Sequence, residues 1–193
     1  MVTSLSAEHS DILGDTIPEI AKEKAAIARP GRPILVRNPS EKDVKQAIIE
    51  QVQNSGQTDL GEQQRPAEVE FISIPNKTSV REEARLLARA LLEKSGLPTS
   101  NLKTAFETVH WPARMQHIKS ATQGGHPFIL DAAHNPSGLA RVLPELEQHV
   151  SEARKSGTAG WSLIFGTSPQ INLQVFCQPL IDLCHRHPPQ HIV

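Results

Sequence analysis

The sequence contains no tyrosine, and aromatic residues make up only 4% of its 193 residues. Proteins that bind single-stranded nucleic acids stack the bases on aromatic side chains. The formal net charge is −1, and no run of basic residues provides the positive surface that a nucleic acid requires. The sequence therefore predicts no nucleic-acid partner.

Long apolar runs are also absent, and no segment approaches the ~20 apolar residues that a membrane-spanning helix needs. The first residues, MVTSLS, have neither the charged nor the apolar region of a signal peptide. The two cysteines, Cys177 and Cys184, are about two helical turns apart, which is too far for a disulfide. These features predict a cytoplasmic protein with reduced thiols and no membrane partner.

Helix and strand patterns alternate along the whole chain, which predicts an α/β fold with parallel strands covered by helices. Thr16 and Glu19 form a capping box that begins a helix extending to residue 28. A strand follows at 33–37, and Ser40 is expected to cap the next helix.

The alternation restarts after His110, which predicts two domains, 1–110 and 111–193. The first residues resemble the end of a strand, and the last six resemble a turn followed by the start of a strand. We therefore expect this chain to be part of a longer protein.

The segment 128–138 carries the clearest sign of a ligand site. Phe128 to Leu130 form an apolar run that is typical of a parallel strand covered on both faces. Asn135 is a favourable helix N-cap, and Pro136 fits the first helical position. Asp131, His134 and Asn135 are thus expected at the carboxyl end of a strand, where open α/β sheets bind ligands.

Lys24 falls on the apolar stripe of the first predicted helix, together with Ile17, Ile20, Ala21 and Ile27. In one interpretation its stem lies on the apolar face and its ammonium reaches water. In the other, burial depresses the pKa of Lys24, and the neutral amine takes up carbon dioxide as a carbamate. The anionic carbamate would then bind a cation such as Mg²⁺ through its oxygens.

Three separated segments resemble the folylpolyglutamate synthase/dihydrofolate synthase family of the Mur ligase superfamily. They are His9 to Ile27 with the following Pro30 to Pro33, Trp111 to Gln116, and Asp131 to Pro136. The second resembles the family's Trp-Pro-Gly-Arg segment, and the third resembles its Asp-Gly-Ala-His-Asn-Pro motif. The resemblance implies the C-terminal part of a Mur ligase central domain at 1–110 and the first part of a Rossmann-like Mur ligase C-terminal domain at 111–193.

This resemblance implies an ATP-dependent amide ligase of folate metabolism. Such an enzyme joins L-glutamate to a folate or to dihydropteroate: ATP phosphorylates a carboxylate, and the glutamate amine attacks the acyl phosphate. The implied partners are these small-molecule substrates, and the implied cofactors are ATP and Mg²⁺. Mg²⁺ and a guanidinium suit this chemistry because negative charge builds up on the phosphoryl oxygens.

The resemblance also implies roles for single residues. His9 resembles a Mg²⁺ ligand, and Lys24 resembles the catalytic lysine that is carbamylated to hold a second Mg²⁺. Arg114 resembles the arginine that reaches the ATP phosphates, and Asp131 resembles the acid that contacts the ribose. The implied ATP site comprises Arg114, Asp131, His134 and Asn135.

The sequence departs from the family pattern at several positions. It contains no G-x-x-x-x-G-K-[ST] phosphate loop. Alanine replaces a family glycine at three positions, Ala26, Ala113 and Ala132. The segments 79–84 and 166–172 replace a Gln- and Asn-bearing segment and an Asp-Lys-Asp cluster. We therefore expect the isolated chain to be inactive or nearly so.

The sequence is also compatible with several alternatives. The chain could be a peptidoglycan-precursor ligase of the same superfamily, or a non-catalytic fragment or split-gene subunit whose partner supplies a missing N-terminal half. It could also be a remnant without a role. At the level of residues, His9 could be an ordinary loop histidine, Arg114 could stack on Trp111, and Asp131 could simply cap the helix at 136.

Overall fold

The computed structural model describes residues 1–6, 13–56, 64–119, 125–155, 160–169 and 172–193. These residues form two compact units, Met1–Val109 and His110–Val193. Each unit contains both helices and strands, which confirms the α/β class. In the part of the chain that is described, no helix is both long and apolar enough to cross a membrane.

The first unit is built on parallel strands covered by helices. Strands β1 and β2 pair in parallel, and Val2 forms a parallel bridge to Val36 on β1. Residues of both preceding and following helices, such as Ala21 and Ile48, bury their side chains against Val36. The elements in order are α1 (Ile17–Ala25), β1 (Pro33–Arg37), α2 (Lys42–Asn54), β2 (Glu68–Ile72), α3 (Val80–Lys94) and α4 (Leu102–Thr108).

The capping box that begins α1 is confirmed. The Thr16 hydroxyl accepts a hydrogen bond from the backbone N–H of Glu19, and the Glu19 carboxylate accepts one from the backbone N–H of Thr16. Two of the backbone donors at the helix start therefore have partners.

Two expectations in the first unit are wrong. Helix α1 ends at Ala25 rather than at residue 28, so Ile27 lies beyond the helical stripe and is 51% exposed. Ser40 does not cap α2, because the N-cap residue is Glu41, which makes no side-chain capping bond. The chain stays extended for one residue longer than the sequence pattern predicts.

The second unit has a core between two helices. Leu139 and Leu143 of the first helix pack against Phe176, Leu180 and Leu183 of the second. The elements in order are β3 (Gln116–Ile118), β4 (Phe128–Leu130), α5 (Pro136–Lys155), β5 (Ser162–Leu163), α6 (Leu173–Arg186) and β6 (His191–Ile192). Strands β5 and β6 pair in parallel.

The strand at Phe128–Leu130 differs from the prediction of a buried parallel strand. It pairs antiparallel with β3, and Phe128 and Leu130 are 55% and 46% exposed. Alternate side chains of a strand point to opposite faces, so these two share one face with Ile118, which stands opposite Phe128. A short apolar run does not reveal whether both of its faces are covered.

Both cysteines are free, as expected from their spacing. Cys177 and Cys184 are half-buried on α6. Burial raises the pKa of the Cys184 thiol, which keeps that sulfur protonated and unreactive near neutral pH.

Candidate functional site

Asp131 joins two of the sequence motifs. Its Oδ2 accepts a hydrogen bond from the backbone N–H of Met115 at 2.8 Å, and its Oδ1 accepts one from the backbone N–H of Ala133 at 2.8 Å. The carboxylate therefore holds the loop before β3 against the loop after β4. Asp131 does not cap the helix at 136; Asn135 does so.

The backbone of the two loops is also joined directly. The N–H of Ala132 donates to the carbonyl of Ala113 at 2.9 Å, and the N–H of Ala113 donates to the side-chain oxygen of Gln116 at 2.9 Å. Ala113 has a φ of 53° and Met115 a φ of 45°, a region that strongly favours glycine. A conformation that favours glycine thus occurs at Ala113, where the family motif has glycine.

Asn135 is the N-cap of α5, as predicted. Its Oδ1 accepts hydrogen bonds from the backbone N–H of Gly138 at 2.5 Å and from the Ser137 hydroxyl at 3.2 Å. His134, next to it, is exposed, and its Nδ1 lies 3.1 Å from the carbonyl of Ala132. The side-chain oxygen of Asn135 is therefore used within the fold, whereas the His134 ring faces solvent.

Arg114 lies at the centre of the tight turn, between Ala113 and Met115, and is exposed. No hydrogen bond or ion pair holds its guanidinium within the described residues, and it makes no cation–π contact with Trp111 there. The hydrogen bonds of Asp131 and Ala132 therefore hold Arg114's backbone beside the loop that carries His134. Four predicted ATP-site residues thus belong to one pair of joined loops in the second unit.

Lys24 belongs to the first unit. It is half-buried, and its Nζ donates to the backbone carbonyl of Ser4 at 3.3 Å. Ala21 and Ala25 on the same helix are fully buried. The unmodified ammonium of Lys24 thus reaches a backbone carbonyl just beyond Val2, and both interpretations of Lys24 stay predictions. Ser4 could not be identified from the sequence, because a backbone acceptor leaves no mark in a side-chain pattern.

A cavity of about 490 Å³ opens where the chain leaves β1 and the neighbouring Val2 bridge. This is the carboxyl edge of the parallel strands, at which open α/β sheets bind ligands. Arg37 lines it and is fixed by Glu83, whose carboxylate lies 2.7 Å from the Arg37 Nε. Ser4, the acceptor of Lys24, also lines this cavity. The other lining residues are Val2, Thr3, Leu5, Ile17, Pro18, Pro39, Ser40, Glu41, Asp43 and Val44.

The described residues do not form a metal site by themselves. His9 lies outside them, and no three His, Cys, Asp or Glu side chains among them come together in a way that could hold a metal. An ammonium is not a ligand for Mg²⁺, which prefers oxygen. Lys24 therefore fits a metal only after its conversion to a carbamate.

Curated proteins with related sequences are folate enzymes. The chain is 27% identical over 182 residues to a dihydrofolate synthase/folylpolyglutamate synthase of Bacillus subtilis, covering 81% of this chain and 41% of that protein. It is 24% identical over 180 residues to a folylpolyglutamate synthase of Lacticaseibacillus casei, covering 79% and 40%. The chain thus spans about two fifths of the length of these relatives. No family model matches.

Solved structures share the fold over nearly the whole chain. E. coli FolC in complex with DHPP and ADP superposes with a TM-score of 0.64 at 18% identity, covering 94% of this chain and 44% of that one. A complex described as FPGS-AMPPCP-folate gives a TM-score of 0.65 at 19% identity, covering 96% and 48%. At such low identity these matches establish the fold.

Proposed function

Since this chain is related in sequence and fold to one part of the folylpolyglutamate synthase/dihydrofolate synthase enzymes, we propose that it is a portion of an ATP- and Mg²⁺-dependent ligase. The ligase would add L-glutamate to a folate or to dihydropteroate through an acyl phosphate. The two relatives described above are folate enzymes, which favours this substrate class over peptidoglycan precursors. A cytoplasmic location remains a prediction.

The observation that carries this proposal is the hydrogen bond between the Asp131 carboxylate and the backbone of Met115. It brings together the two motifs that resemble the family's nucleotide-binding segments. An exposed guanidinium, Arg114, and an exposed imidazole, His134, lie on the joined loops. A cation and a ring donor on adjoining loops suit an anionic phosphate chain.

Each residue would have a separate task. Arg114 would bind phosphate oxygens as a fork of N–H donors. Asp131 would accept ribose hydroxyls with the lone pairs that its two backbone donors leave free. One Mg²⁺ held by His9 and a second held by a carbamylated Lys24 would neutralise charge on the transferred phosphoryl group.

The isolated chain should be inactive, because no phosphate loop is present in its sequence. Backbone N–H groups of such a loop cradle the β- and γ-phosphates. Purified chain incubated with folate or dihydropteroate, L-glutamate, ATP and Mg²⁺ should release no phosphate above a protein-free control. Turnover at ordinary ligase rates, of the order of ~1 s⁻¹ or more, would contradict the proposed need for that loop.

A second candidate is a split-gene subunit that joins a polypeptide carrying the phosphate loop. The observation in its favour is the apolar face of β3 and β4, formed by Ile118, Phe128 and Leu130, which are between 37% and 55% exposed. Mixing the chain with the part of the Bacillus subtilis relative that it does not match tests this candidate. Glutamate addition that requires both polypeptides would support it. Failure of the two polypeptides to co-elute in size-exclusion chromatography would argue against it.

A further inference from the structure

A second cavity, of about 310 Å³, lies between α3 and α4 in the first unit. It contains none of the residues assigned above to ligase chemistry. Its walls combine basic side chains with an apolar floor. The lining residues are Glu82, Arg85, Leu86 and Arg89 of α3, and Lys103, Phe106 and Glu107 of α4.

Arg85 forms the fixed base of this α3–α4 cleft. Its Nη1 lies 3.3 Å from a carboxylate oxygen of Glu82, and its Nη2 donates to the carbonyl of Phe106 at 3.4 Å. The guanidinium carbon is 5.9 Å from the centroid of the Phe106 ring. The Nε atom of Arg85 is buried and has no acceptor within the described residues. A buried donor without an acceptor indicates that a further acceptor belongs beside it.

Two further cations stand at the rim. Arg89 lies one helical turn after Arg85, and Lys103 faces the cleft from α4; both are exposed. Neither head group has a hydrogen bond or ion-pair partner in the portion of the chain that is described. Glu107 is the acidic lining residue that likewise lacks a partner there, whereas Glu82 is neutralised by Arg85. The rim therefore carries an excess of positive charge.

We propose that the α3–α4 cleft binds a small organic anion, with a phosphate or carboxylate group on an apolar body. Arg89 and Lys103 bind the anionic group as charged donors. The Phe106 ring and the Leu86 side chain contact the apolar body, which such cavities require for affinity. Glu107 opposes the anion, so its charge limits the affinity.

Phenyl phosphate, benzoate and inorganic phosphate are suitable probes, titrated into the purified full chain by calorimetry at low salt. Phenyl phosphate should bind saturably and more tightly than inorganic phosphate, because only the former reaches the apolar floor. The ratio of phenyl phosphate to benzoate affinity then distinguishes a phosphate-bearing from a carboxylate-bearing ligand.

The variant Arg89→Gln/Lys103→Gln removes both exposed cations and should weaken phenyl phosphate binding by roughly tenfold or more, about one unit of log Kd. The matched control, Arg32→Gln/Lys42→Gln, removes two exposed cations elsewhere in the same unit and should bind as the unaltered chain does. Glu107→Gln should bind more tightly. Neither a purely structural role nor loss of folding predicts that gain.

The absence of saturable binding of both organic probes would overturn the proposal. Equal losses in the double variant and its control would also overturn it, since they would indicate non-specific attraction. None of these variants changes Lys24, Arg114 or Asp131. Failure of this proposal therefore leaves the proposed ligase function untouched, and the reverse holds as well.

Discussion

The carboxylate of Asp131 accepts the backbone N–H of Met115 across 16 positions of sequence. The same side chain also accepts the N–H of Ala133. Asp131→Asn retains one oxygen acceptor and replaces the other with an NH₂ donor, so one backbone N–H loses its partner. We expect the second unit to lose about 1 kcal/mol of its free energy of unfolding.

Urea unfolding followed by tryptophan fluorescence measures this loss, because both tryptophans lie in the second unit. Asp182→Asn is the matched control, since Asp182 is exposed and accepts its hydrogen bond from Gln178. The control should change stability by less than about 0.5 kcal/mol. Equal stability of the two variants would show that Asp131 does not hold the loops together.

Ala113→Gly should stabilise the second unit. Ala113 has a φ of 53°, where a Cβ atom costs about 1–2 kcal/mol. Glycine removes this cost, but part of the gain in stability is lost because glycine gives the unfolded chain more conformational entropy. The net gain should be about 0.5–1 kcal/mol, measured by the same unfolding assay. Ala132→Gly is the control, because no positive φ occurs at Ala132. A gain in the control, or a loss at 113, would argue against strain at Ala113.

Local patterns predicted the parts of the fold that local forces determine. The capping box of Thr16 and Glu19 and the N-cap at Asn135 are correct, because each is closed by a backbone N–H within three residues. The environment of Phe128–Leu130 was predicted wrongly, since burial of a strand depends on what covers its faces.

In the candidate site, too, local features were predictable and tertiary contacts were not. Asp131, His134 and Asn135 could be picked out because they follow an apolar strand, and Lys24 because it falls on an apolar stripe. Their partners could not be predicted. The carbonyl of Ser4 and the N–H of Met115 are backbone groups present at every position, and only the tertiary fold selects them. The positive φ at Ala113 has one sequence signal, the glycine of the family motif.

Glu147 links α5 to the end of α6. Its carboxylate accepts two hydrogen bonds from Arg186, at 2.7 and 3.1 Å, and lies 3.0 Å from the Nε2 of His187. The hydrogen bonds from Arg186, and then from His187, lower the pKa of Glu147 from 4.5. A lowered pKa in the folded state contributes stability that is present above the unfolded value and lost as the pH falls through the folded one.

We therefore expect Glu147→Gln to reduce stability near pH 7 by roughly 0.5–1 kcal/mol, a modest effect because the pair is partly exposed. Below the unfolded pKa of 4.5, the free energy of unfolding of the variant should also fall less steeply with decreasing pH than that of the unaltered chain. Unfolding in urea from pH 7 to pH 3 provides the measurement. Glu152→Gln, at an exposed position on the same helix, should keep the decline. An unchanged pH profile in Glu147→Gln would refute this role.

Substitutions at Lys24 distinguish a role as a carbamate from a role as an ammonium that only contacts a carbonyl. In a ligase reconstituted from this chain and the part of the Bacillus subtilis relative that it does not match, Lys24→Ala and Lys24→Arg should each lower glutamate addition by roughly 10²–10³-fold, a loss of about 3–4 kcal/mol. Arginine keeps the charge and cannot carry the carbamate. Lys22→Arg is the control, because Lys22 pairs with Glu50 at an exposed position. Full activity of Lys24→Arg would leave Lys24 with a structural role.

The central claim is that the joined loops of the second unit are part of a nucleotide site, and titration of the isotope-labelled chain with AMPPCP tests it most directly. The changes in backbone amide chemical shift on adding AMPPCP should be concentrated at residues 113–116 and 131–135. The variant Arg114→Gln should weaken binding by roughly tenfold, about 1.4 kcal/mol. If neither loop showed chemical-shift changes, or if Arg114→Gln bound AMPPCP as tightly as the unaltered chain, the claim would be contradicted.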